Sequence, residues 1–443
     1  MGSGVSELRS PEREQALEAA WERLDPRFRL PNQVLGRRST VGCVALEITQ
    51  RCNLDCTLCY LSENAEATPD PPLAVLFERI ERIRDLYGPG VGVQVTGGDP
   101  TLRERSELVA VVKRLSERGL RPSLFTNGLL ATTDLIEELV DNGLFDVAFH
   151  VDTTQRRKRW PTEAALNEVR EEYIRRVRGL PVAVIFNTSV HAGNLDEVPM
   201  LARFFLERSD VVGMASFQLQ ADTGRGEWRT RDAAVSLASV RERIARGTGA
   251  DSLSWDTALL GHPDCHQATM LATVGGRAVD LLDDPPLYER FLEEFKHLSF
   301  DRRNVRATAR EVLKIAFRKP YFVFRGGAYL LRKLWGVRRE LLAGGRTGKI
   351  TFFIQNFQDA GALDPERIAN CSFMVMTDQG PVSMCEHNAR RDEYLGAAPL
   401  LPTLGLAGAA VPLVASQVGP AGLPLPTRAA AGTPHAGACC GGK

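Results

Sequence analysis

Residues Arg51–Tyr60 read RCNLDCTLCY and are the most informative ten residues of the chain. Cys52, Cys56 and Cys59 follow one another at the spacing C-x3-C-x2-C, directly after the apolar, β-branched run 44–49. Such a run predicts a strand. A strand would deliver the three thiols together to one edge of a sheet.

Three cysteines on one short loop suit a metal centre that keeps an open position. Iron–sulfur clusters are usually held by four thiolates, so three thiolates leave one iron without a protein ligand. An open position distinguishes reactive metal sites from structural ones. A zinc site would normally add a second cysteine pair downstream, and no such pair lies near this loop. Three cysteines with no common ligand are the remaining alternative.

The composition describes a large globular protein. The 443 residues, 44% of them hydrophobic, predict two or three domains or one large α/β barrel. The 55 basic and 55 acidic side chains balance, which gives no sign of a nucleic-acid partner. Nine cysteines in a chain of this length do not form a disulfide scaffold, and Met1–Leu30 lacks the apolar core of a signal peptide. We therefore expect a cytoplasmic protein in a reducing compartment.

Strand and helix patterns alternate between residues 41 and 247. The strands are predicted at 41–49, 91–96, 121–126, 146–151, 182–190 and 211–219, and the helices at 72–86, 103–117, 134–142, 164–178, 196–207 and 231–246. This alternation is typical of βαβ units around a parallel sheet. Six strand–helix pairs are too few for a closed eight-fold barrel.

Polar or glycine clusters follow all six predicted strands. Parallel βα proteins carry their chemistry at the carboxyl ends of the strands, so these clusters predict one site. Their members are the first three cysteines with Gly97, Gly98, Asp99, Pro100, Thr126, Asn127, His150, Asp152, Asn187, Ser189, Gln218 and Gln220. Turn formation, helix capping and a satisfied core network are the structural alternatives for the polar residues.

The cysteine spacing and the Gly97–Pro100 string GGDP together resemble the radical S-adenosylmethionine (SAM) superfamily, whose second motif is GGEP. Asp99 stands here for the glutamate. The resemblance implies a partial (β/α)6 TIM-like barrel over residues 41–247. It also implies a [4Fe-4S] cluster on Cys52, Cys56 and Cys59 whose open iron binds SAM. Reductive cleavage of SAM to a 5′-deoxyadenosyl radical, which removes a hydrogen atom from substrate, is the activity implied.

The same resemblance implies roles at the strand ends. Gly97-Gly98-Asp99-Pro100 would face the methionine amino group of SAM. Thr126, Asn127 and Asp152 would serve its ribose and carboxylate. The residue types themselves indicate the rest: neutral polar side chains inside a barrel, such as those of Asn187 and Ser189, suit the adenine or a polar substrate. His150, Gln218 and Gln220 are the candidates for contact with substrate.

Residues 248–395 are predicted to form an α+β extension with a hairpin at 372–376 and 382–384. The region around Cys371 and Cys385 resembles the radical SAM branch that includes archaeal tetraether lipid synthase and dihydropterin methylase. That resemblance implies an auxiliary iron–sulfur cluster on Cys265, Cys371 and Cys385, with His387, Cys439-Cys440 or substrate as the fourth ligand. Buried structural cysteines are the alternative, and Cys43, within the first strand, is expected in the core.

Three further stretches complete the organisation. Residues 1–40 contain one helix and a lead into the barrel, and residues 396–443, rich in Pro, Ala and Gly, are expected to be disordered. The basic, aromatic stretch 317–339 is typical of a helix that lies at a membrane interface. Long basic side chains on a helix packed against the barrel would give the same pattern.

We therefore expect a radical SAM enzyme that activates a C–H bond of an apolar or lipid-like substrate, for carbon–carbon coupling or methylation. An electron donor such as flavodoxin or ferredoxin would serve it, and contact with membranes would be peripheral. A peptide-modifying radical SAM enzyme of the maturase type is one alternative. A non-catalytic iron–sulfur carrier is another, although a carrier does not require polar residues at every strand end.

Overall fold

The computed structural model describes residues 10–227, 230–250, 253–256, 258–296, 298 and 305–396. An N-terminal helix, α1 (Pro11–Arg23), precedes six alternating strand–helix pairs. These are β1 (Cys43–Thr49), α2 (Leu73–Tyr87), β2 (Gly92–Gly97), α3 (Arg105–Glu117), β3 (Arg121–Thr126), α4 (Thr133–Asp141), β4 (Asp146–His150), α5 (Glu163–Val177), β5 (Ala183–Val190), α6 (Val198–Glu207), β6 (Val212–Leu219) and α7 (Leu237–Thr248).

The second part of the chain supplies five more strands and seven short helices among the described residues. They are β7 (His266–Val274), β8 (Arg277–Asp280), α8 (Pro285–Glu294), α9 (Val305–Phe317), α10 (Gly327–Gly336), α11 (Arg338–Leu342), β9 (Thr347–Asn356), α12 (Pro365–Ala369), β10 (Phe373–Thr377), β11 (Gly380–Ser383), α13 (Met384–Ala389) and α14 (Arg391–Gly396).

All eleven strands belong to one sheet in the order β11-β10-β1-β2-β3-β4-β5-β6-β9-β7-β8. Strands β1 to β6 pair in parallel with their sequence neighbours, as the alternation predicts. The sheet stays open, because β11 and β8 form its two edges. The predicted fold class, a partial TIM-like barrel of α/β type, is confirmed.

The extension at 248–395 continues this sheet on both sides. Strand β9 pairs in parallel with β6, β10 pairs in parallel with β1, and β7 pairs antiparallel with β9. The C-terminal strands therefore flank the barrel strands and approach the site from two directions. The division of the chain at residues 40, 247 and 395 remains a prediction.

Burial explains why the barrel forms where the apolar pattern places it. All seven residues of β1 are buried, as expected of a strand covered on both faces. Helix α2 buries Leu76, Ile80 and Ile83, which recur at spacings of four and three and so share one face of the helix. These side chains belong to one core cluster that runs through the whole barrel.

Three predicted elements differ from the structure. The helix expected at 231–246 begins at Leu237, because the side chain of Ser236 accepts a hydrogen bond from the Ser239 amide and caps it there. The basic, aromatic stretch 317–339, which is expected to be helical, is divided by a π-helical turn at Phe322–Gly326 and by a break at Val337. The hairpin of β7 and β8 was missed, although Gly275-Gly276 between two β-type runs is a hairpin signal.

Two predictions lie outside the described residues. The tail that we expect to be disordered, residues 396–443, lies outside them from residue 397 onward, and so do Cys439 and Cys440.

Among the described residues, no helix combines the length and the apolar character needed to cross a membrane.

One buried ion pair supports the region below the site. Arg170 and Glu163 form an ion pair with neither side chain exposed, and Arg170 also donates to the carbonyl of Val151 at 2.8 Å. The Glu163 carboxylate accepts from the Thr153 amide at 2.9 Å and from the Asn194 side chain at 2.9 Å. The pair thus fixes the loop that follows β4.

We expect Arg170→Met to lower the free energy of unfolding by about 3–5 kcal/mol, because it leaves the Glu163 carboxylate buried without its cation. The matched control is Arg175→Met, which removes an arginine that is 61% exposed from a pair with Glu172 on the same helix. That control should lose no more than about 1 kcal/mol. Denaturant titration of both variants makes the comparison, and equal losses would contradict the role given to Arg170.

Candidate functional site

The loop that carries the first three cysteines begins where β1 ends and is tied to three other strand ends. The Tyr60 hydroxyl donates to the carbonyl of Gly97 at 2.6 Å. Asn53 accepts from the Asn127 side chain at 2.6 Å, and the Thr57 amide donates to the carbonyl of Thr154 at 2.9 Å. The loop is therefore positioned by the ends of β2, β3 and β4.

The two glycines of the GGDP turn allow the backbone of this turn to touch the start of the cysteine loop. A Cβ added to Gly98 would lie 2.0 Å from the carbonyl oxygen of Arg51, and Gly97 has φ of +125°. Any larger residue would force the two segments apart. The contact is closed by the amide of Asp99, which donates to the Arg51 carbonyl at 2.8 Å.

The Asp99 carboxylate is used within the protein. It is 1% exposed and accepts from the Asn127 amide at 2.8 Å, from the Thr126 hydroxyl at 2.9 Å and from the Thr101 amide at 3.0 Å. It therefore joins the end of β2 to the end of β3. The predicted contact of this turn with a ligand would therefore come from its backbone and not from the Asp99 carboxylate.

Asp152 similarly joins β4 to β5. Its side chain is fully buried and accepts from the Ser189 amide at 2.7 Å, from the Thr154 amide at 3.0 Å and from His150 Nε2 at 2.7 Å. It does not line the cavity described below. Burial and internal partners occupy the Asp152 carboxylate, and Pro100 is likewise buried away from the cavity. The contact of these two residues with a cofactor stays a prediction.

His150 lies between this buried carboxylate and the cavity. Its side chain is 32% exposed. Burial lowers the pKa of His150, but the charge and hydrogen bond of Asp152 outweigh it, so the pKa is raised above its usual value. The same contact holds the pKa of Asp152 well below its usual range against the effect of burial. His150 therefore keeps its second ring proton to a higher pH than a free imidazole does.

A cavity of about 490 Å³ runs from the cysteine loop along the inner face of the sheet. It brings together nearly all the predicted site residues. Those that line it are Cys52, Cys56, Cys59, Gly97, Gly98, Asp99, Thr126, Asn127, His150, Asn187, Ser189, Gln218 and Gln220. Most of the rest of its wall is apolar, with Ile185, Met214, Phe353, Phe357, Phe373 and Met384 among the lining residues.

The three thiols influence one another electrostatically, and Arg225 lies near two of them, Cys59 and Cys52. Burial, and then the charges of Asp99 and Cys59, raise the pKa of Cys52 against a hydrogen bond from the Leu54 backbone. Burial likewise raises the pKa of Cys56 well above its usual value. Arg225 hydrogen-bonds to Cys59, and the charge of that thiolate raises the arginine pKa although burial lowers it. Arg225 was missed in the sequence, although Gly224-Arg225-Gly226 lies close behind β6.

This donor set fits an iron–sulfur cluster better than a single metal ion. Among the residues that the structure describes, no three His, Cys, Asp or Glu side chains lie close enough to hold one ion. A cluster of several irons spaces its thiolates farther apart than one ion does. Three cysteine donors on one loop, with a guanidinium beside them to offset negative charge, match the thiolate ligation of such clusters.

Cys265, Cys371 and Cys385 form a second group, outside the lining of the cavity. Burial, and then the charges of Cys385 and Cys265, raise the pKa of Cys371 to about 12. Burial also raises the pKa of Cys265, and a hydrogen bond from Arg367 opposes that effect. Burial raises the pKa of Cys385 in the same way, against a backbone hydrogen bond from Gln358. Cys371 thus lies within electrostatic range of the other two cysteines that the sequence grouped with it.

Two further residues lie near these groups. Cys43 is buried within β1, as expected, and its thiol, which accepts from Gln94 at 3.2 Å, also reaches the wall of the cavity. Arg391, on α14, donates to the buried Glu47 at 2.6 Å and lies over the Tyr60 ring at 4.7 Å. No sequence signal pointed to Arg391, because 331 residues separate it from Tyr60.

Comparison with known proteins places these residues in a family. Residues 46–205 match the sequence profile of the Radical SAM superfamily. The GTP 3′,8-cyclase of Chlorobaculum tepidum is 32% identical over 238 residues, which cover 52% of this chain and 68% of the cyclase. The 7,8-dihydro-6-hydroxymethylpterin dimethyltransferase of Methanocaldococcus jannaschii is 27% identical over 199 residues, or 44% of this chain and 39% of that protein.

Several of the relatives are matched over less than half of their length. The chain spans 39–43% of the length of the pterin dimethyltransferase and of two PqqA peptide cyclases. The crystal structure of Streptococcus suis SuiB bound to S-adenosylmethionine aligns with 46% of this chain and 46% of SuiB, at 14% identity and a TM-score of 0.36.

The His150–Asp152 pair predicts a pH dependence of stability. Because the folded pKa of His150 is raised, its contribution is present below its unfolded pKa of about 6.5 and is lost as pH rises through the folded value. Because the folded pKa of Asp152 is lowered, its contribution is present above about pH 3.9 and is lost as pH falls. The pair therefore stabilises the fold most between about pH 4 and 6.5.

We expect the loss in unfolding free energy caused by Asp152→Asn to be larger at about pH 5.5 than at about pH 9. Denaturant titrations of the wild type and of Asp152→Asn at the two pH values measure this loss. Asp55→Asn, whose side chain is 86% exposed, is the control and should show no such difference. A loss that is independent of pH would contradict a charged His150.

Proposed function

The chain belongs to the radical SAM superfamily, whose enzymes use a [4Fe-4S] cluster and SAM, and we propose that Cys52, Cys56 and Cys59 hold that cluster. One observation carries the proposal. The only loop among the described residues with three cysteines in ten positions lines the cavity, against the Gly97-Gly98 turn, which lines the same cavity. Three thiolates would leave one iron open, as SAM binding requires.

When bound, the cluster supplies the electron that cleaves SAM reductively to methionine and a 5′-deoxyadenosyl radical. The protein binds, orients and excludes water, as is general for cofactor enzymes. Arg225 would offset the negative charge of the thiolates, since it already hydrogen-bonds to Cys59. The backbone at Gly97 and Gly98 would face the amino group of methionine, and Asn127, held by Asp99 and Asn53, would contact the ribose or carboxylate.

His150 would act as a fixed hydrogen-bond donor at the cavity wall. Asp152 accepts from its Nε2 at 2.7 Å and favours the protonated ring, which leaves the Nδ1 proton available to SAM or substrate. Gln218 lines the same wall and would hold a polar group of either molecule. Gln220 is 5% exposed and donates to the Thr230 carbonyl at 2.9 Å, so its role would be to position the loop after β6.

The wall of the cavity favours an apolar or lipid-like substrate. Phe353, Phe357, Phe373 and Met384, all from the C-terminal extension, line it with Met214 of β6. Ligand pockets bind apolar groups through such walls and orient them through a few polar contacts. Hydrogen abstraction from this substrate would precede carbon–carbon coupling or methylation.

A peptide substrate is the second candidate, because two PqqA peptide cyclases match the chain at 26% and 30% identity. A cavity that is lined by aromatic and methionine side chains would accept one apolar side chain of a peptide. Turnover of a peptide, with none of an apolar small molecule, would favour this candidate.

The proposal also includes an electron donor and a cellular location. A low-potential electron donor such as flavodoxin or ferredoxin would reduce the cluster. The protein would reside in the cytoplasm and contact membranes only peripherally.

We assign a second, auxiliary iron–sulfur cluster to Cys265, Cys371 and Cys385. Arg367 is placed to stabilise the Cys265 thiolate and Gln358 to stabilise that of Cys385, which a buried anionic cluster would need. His387 is a poor fourth ligand. It is 1% exposed, lies 4.0 Å from Glu47 and stacks on Tyr394, so its ring is already occupied by contacts within the protein.

Anaerobic reconstitution with iron and sulfide tests the main proposal. We expect wild-type protein with dithionite and SAM to form 5′-deoxyadenosine, and Cys52→Ala, Cys56→Ala or Cys59→Ala to abolish it. Cys43→Ala should retain it, because that thiol is not on the loop. Chromatographic detection of 5′-deoxyadenosine is the measurement, and its absence from reconstituted wild-type protein would refute the proposal.

A separate iron count tests the auxiliary cluster. The triple variant Cys265→Ala/Cys371→Ala/Cys385→Ala should lose about four irons per chain relative to wild type, since cubane clusters hold four. Cys43→Ala, a buried cysteine in the neighbouring strand, should lose none. Unchanged iron in the triple variant would remove the auxiliary site while leaving the first cluster unaffected.

A further inference from the structure

Residues 309–342 present an unusual number of large apolar side chains to solvent. Phe324 is 77% exposed, Phe317 72%, Leu331 69% and Trp335 69%. Leu313, Leu330, Leu334 and Leu342 are also at least half exposed. We call these eight side chains the outer face. Single exposed hydrophobic residues are normal, but several together in one segment indicate an interaction surface.

The outer face is not needed to attach the segment to the rest of the protein. Phe322 is buried in a separate small core with Leu287 and Phe295, and Ile315 and Tyr329 pack against that core. Helices α9 and α10 are thus apolar on two sides, one packed and one open. A surface helix of a globular protein normally keeps its outward side polar, so the outer face has another use.

The charge of this segment is strongly positive. Residues 309–342 contain nine arginines and lysines and two glutamates, a net charge of +7. Because the whole chain has a net charge of zero, the remaining residues carry −7. The positive charge is therefore concentrated beside the outer face, while the rest of the chain is acidic.

Only part of this charge is neutralised by neighbours. Arg325 pairs with Asp284, and Arg332 and Lys333 with Asp283, which ties α10 to the loop before α8. Arg318 and Arg339 are exposed and form no ion pair with any residue that the structure describes. Cations of this kind beside exposed aromatic residues match the headgroup region of an anionic bilayer.

We propose that the outer face docks on the surface of an anionic lipid bilayer, with Phe317, Phe324, Leu331 and Trp335 in the interface and Arg318 and Arg339 at the lipid phosphates. The biological role of this docking rests on the proposed function, in which the protein contacts membranes peripherally. Binding of the outer face to a bilayer does not depend on the iron–sulfur cluster. A second copy of the chain is disfavoured as the occupant, because two faces with the same excess of positive charge would repel each other.

Sedimentation of the full-length, reconstituted protein with vesicles tests the proposal. We expect binding to phosphatidylglycerol/phosphatidylcholine vesicles at low salt, and little binding to phosphatidylcholine alone or at high salt. Trp335 fluorescence should shift to the blue on binding, and Trp335→Phe should remove that shift while the other four tryptophans remain.

Paired variants separate the apolar and the basic contributions. Phe324→Ser/Leu331→Ser and Arg318→Glu/Arg339→Glu should each lower the partition coefficient at least about tenfold, since one basic residue near such a surface contributes about 1 kcal/mol. The matched controls are Leu86→Ser, an exposed leucine on α2, and Arg246→Glu, an exposed arginine on α7. Both should bind as wild type does.

Two outcomes overturn the proposal: no binding to anionic vesicles, or a Trp335 shift that depends on protein concentration without vesicles, which would mark a dimer. Formation of 5′-deoxyadenosine, measured in the same preparation, distinguishes the two proposals. Vesicle binding without SAM cleavage refutes the proposed function alone, and SAM cleavage without vesicle binding refutes the docking surface alone.

Discussion

The contact between two backbone segments, the GGDP turn and the first residues of the cysteine loop, is the constraint on which the site depends. The Gly98 Cα is so close to the Arg51 carbonyl that no side chain would fit between them. The contact fixes the loop relative to β2, and Tyr60 closes it from the other side through the Gly97 carbonyl. A cluster held by three cysteines needs this rigidity, because its fourth iron must face the cavity.

Two buried carboxylates extend this constraint around the sheet. Asp99 joins the ends of β2 and β3, and Asp152 joins those of β4 and β5. Each is saturated by donors, so each acts by placing its neighbours: Thr126 and Asn127 in one case, His150 and Ser189 in the other. The shorter side chain of Asp99, where the family motif has glutamate, fits this internal role. The C-terminal strands then complete the apolar wall from both edges of the sheet.

The sequence predicted the barrel well and the contacts within it poorly. The six strands and the line of polar residues at their ends follow from local patterns, which the short βα connections preserve. The roles of Asp99 and Asp152 could not be predicted, because the sequence does not distinguish an aspartate that binds a ligand from one that accepts hydrogen bonds from backbone amides. The parallel pairing of β9 with β6 joins residues far apart in sequence, and the hairpin of β7 and β8 was overlooked. Arg391 reaches Glu47 only because α14 returns to β1.

The central claim is that three thiolates hold one cubane cluster with an iron left open to SAM. Electron paramagnetic resonance of the dithionite-reduced protein, recorded with and without SAM in the triple variant that lacks Cys265, Cys371 and Cys385, tests it most directly. The account predicts a [4Fe-4S]+ signal whose g values change when SAM is added, because the amino and carboxylate groups bind the open iron. A signal that SAM leaves unchanged, or the absence of a cubane signal, would contradict it.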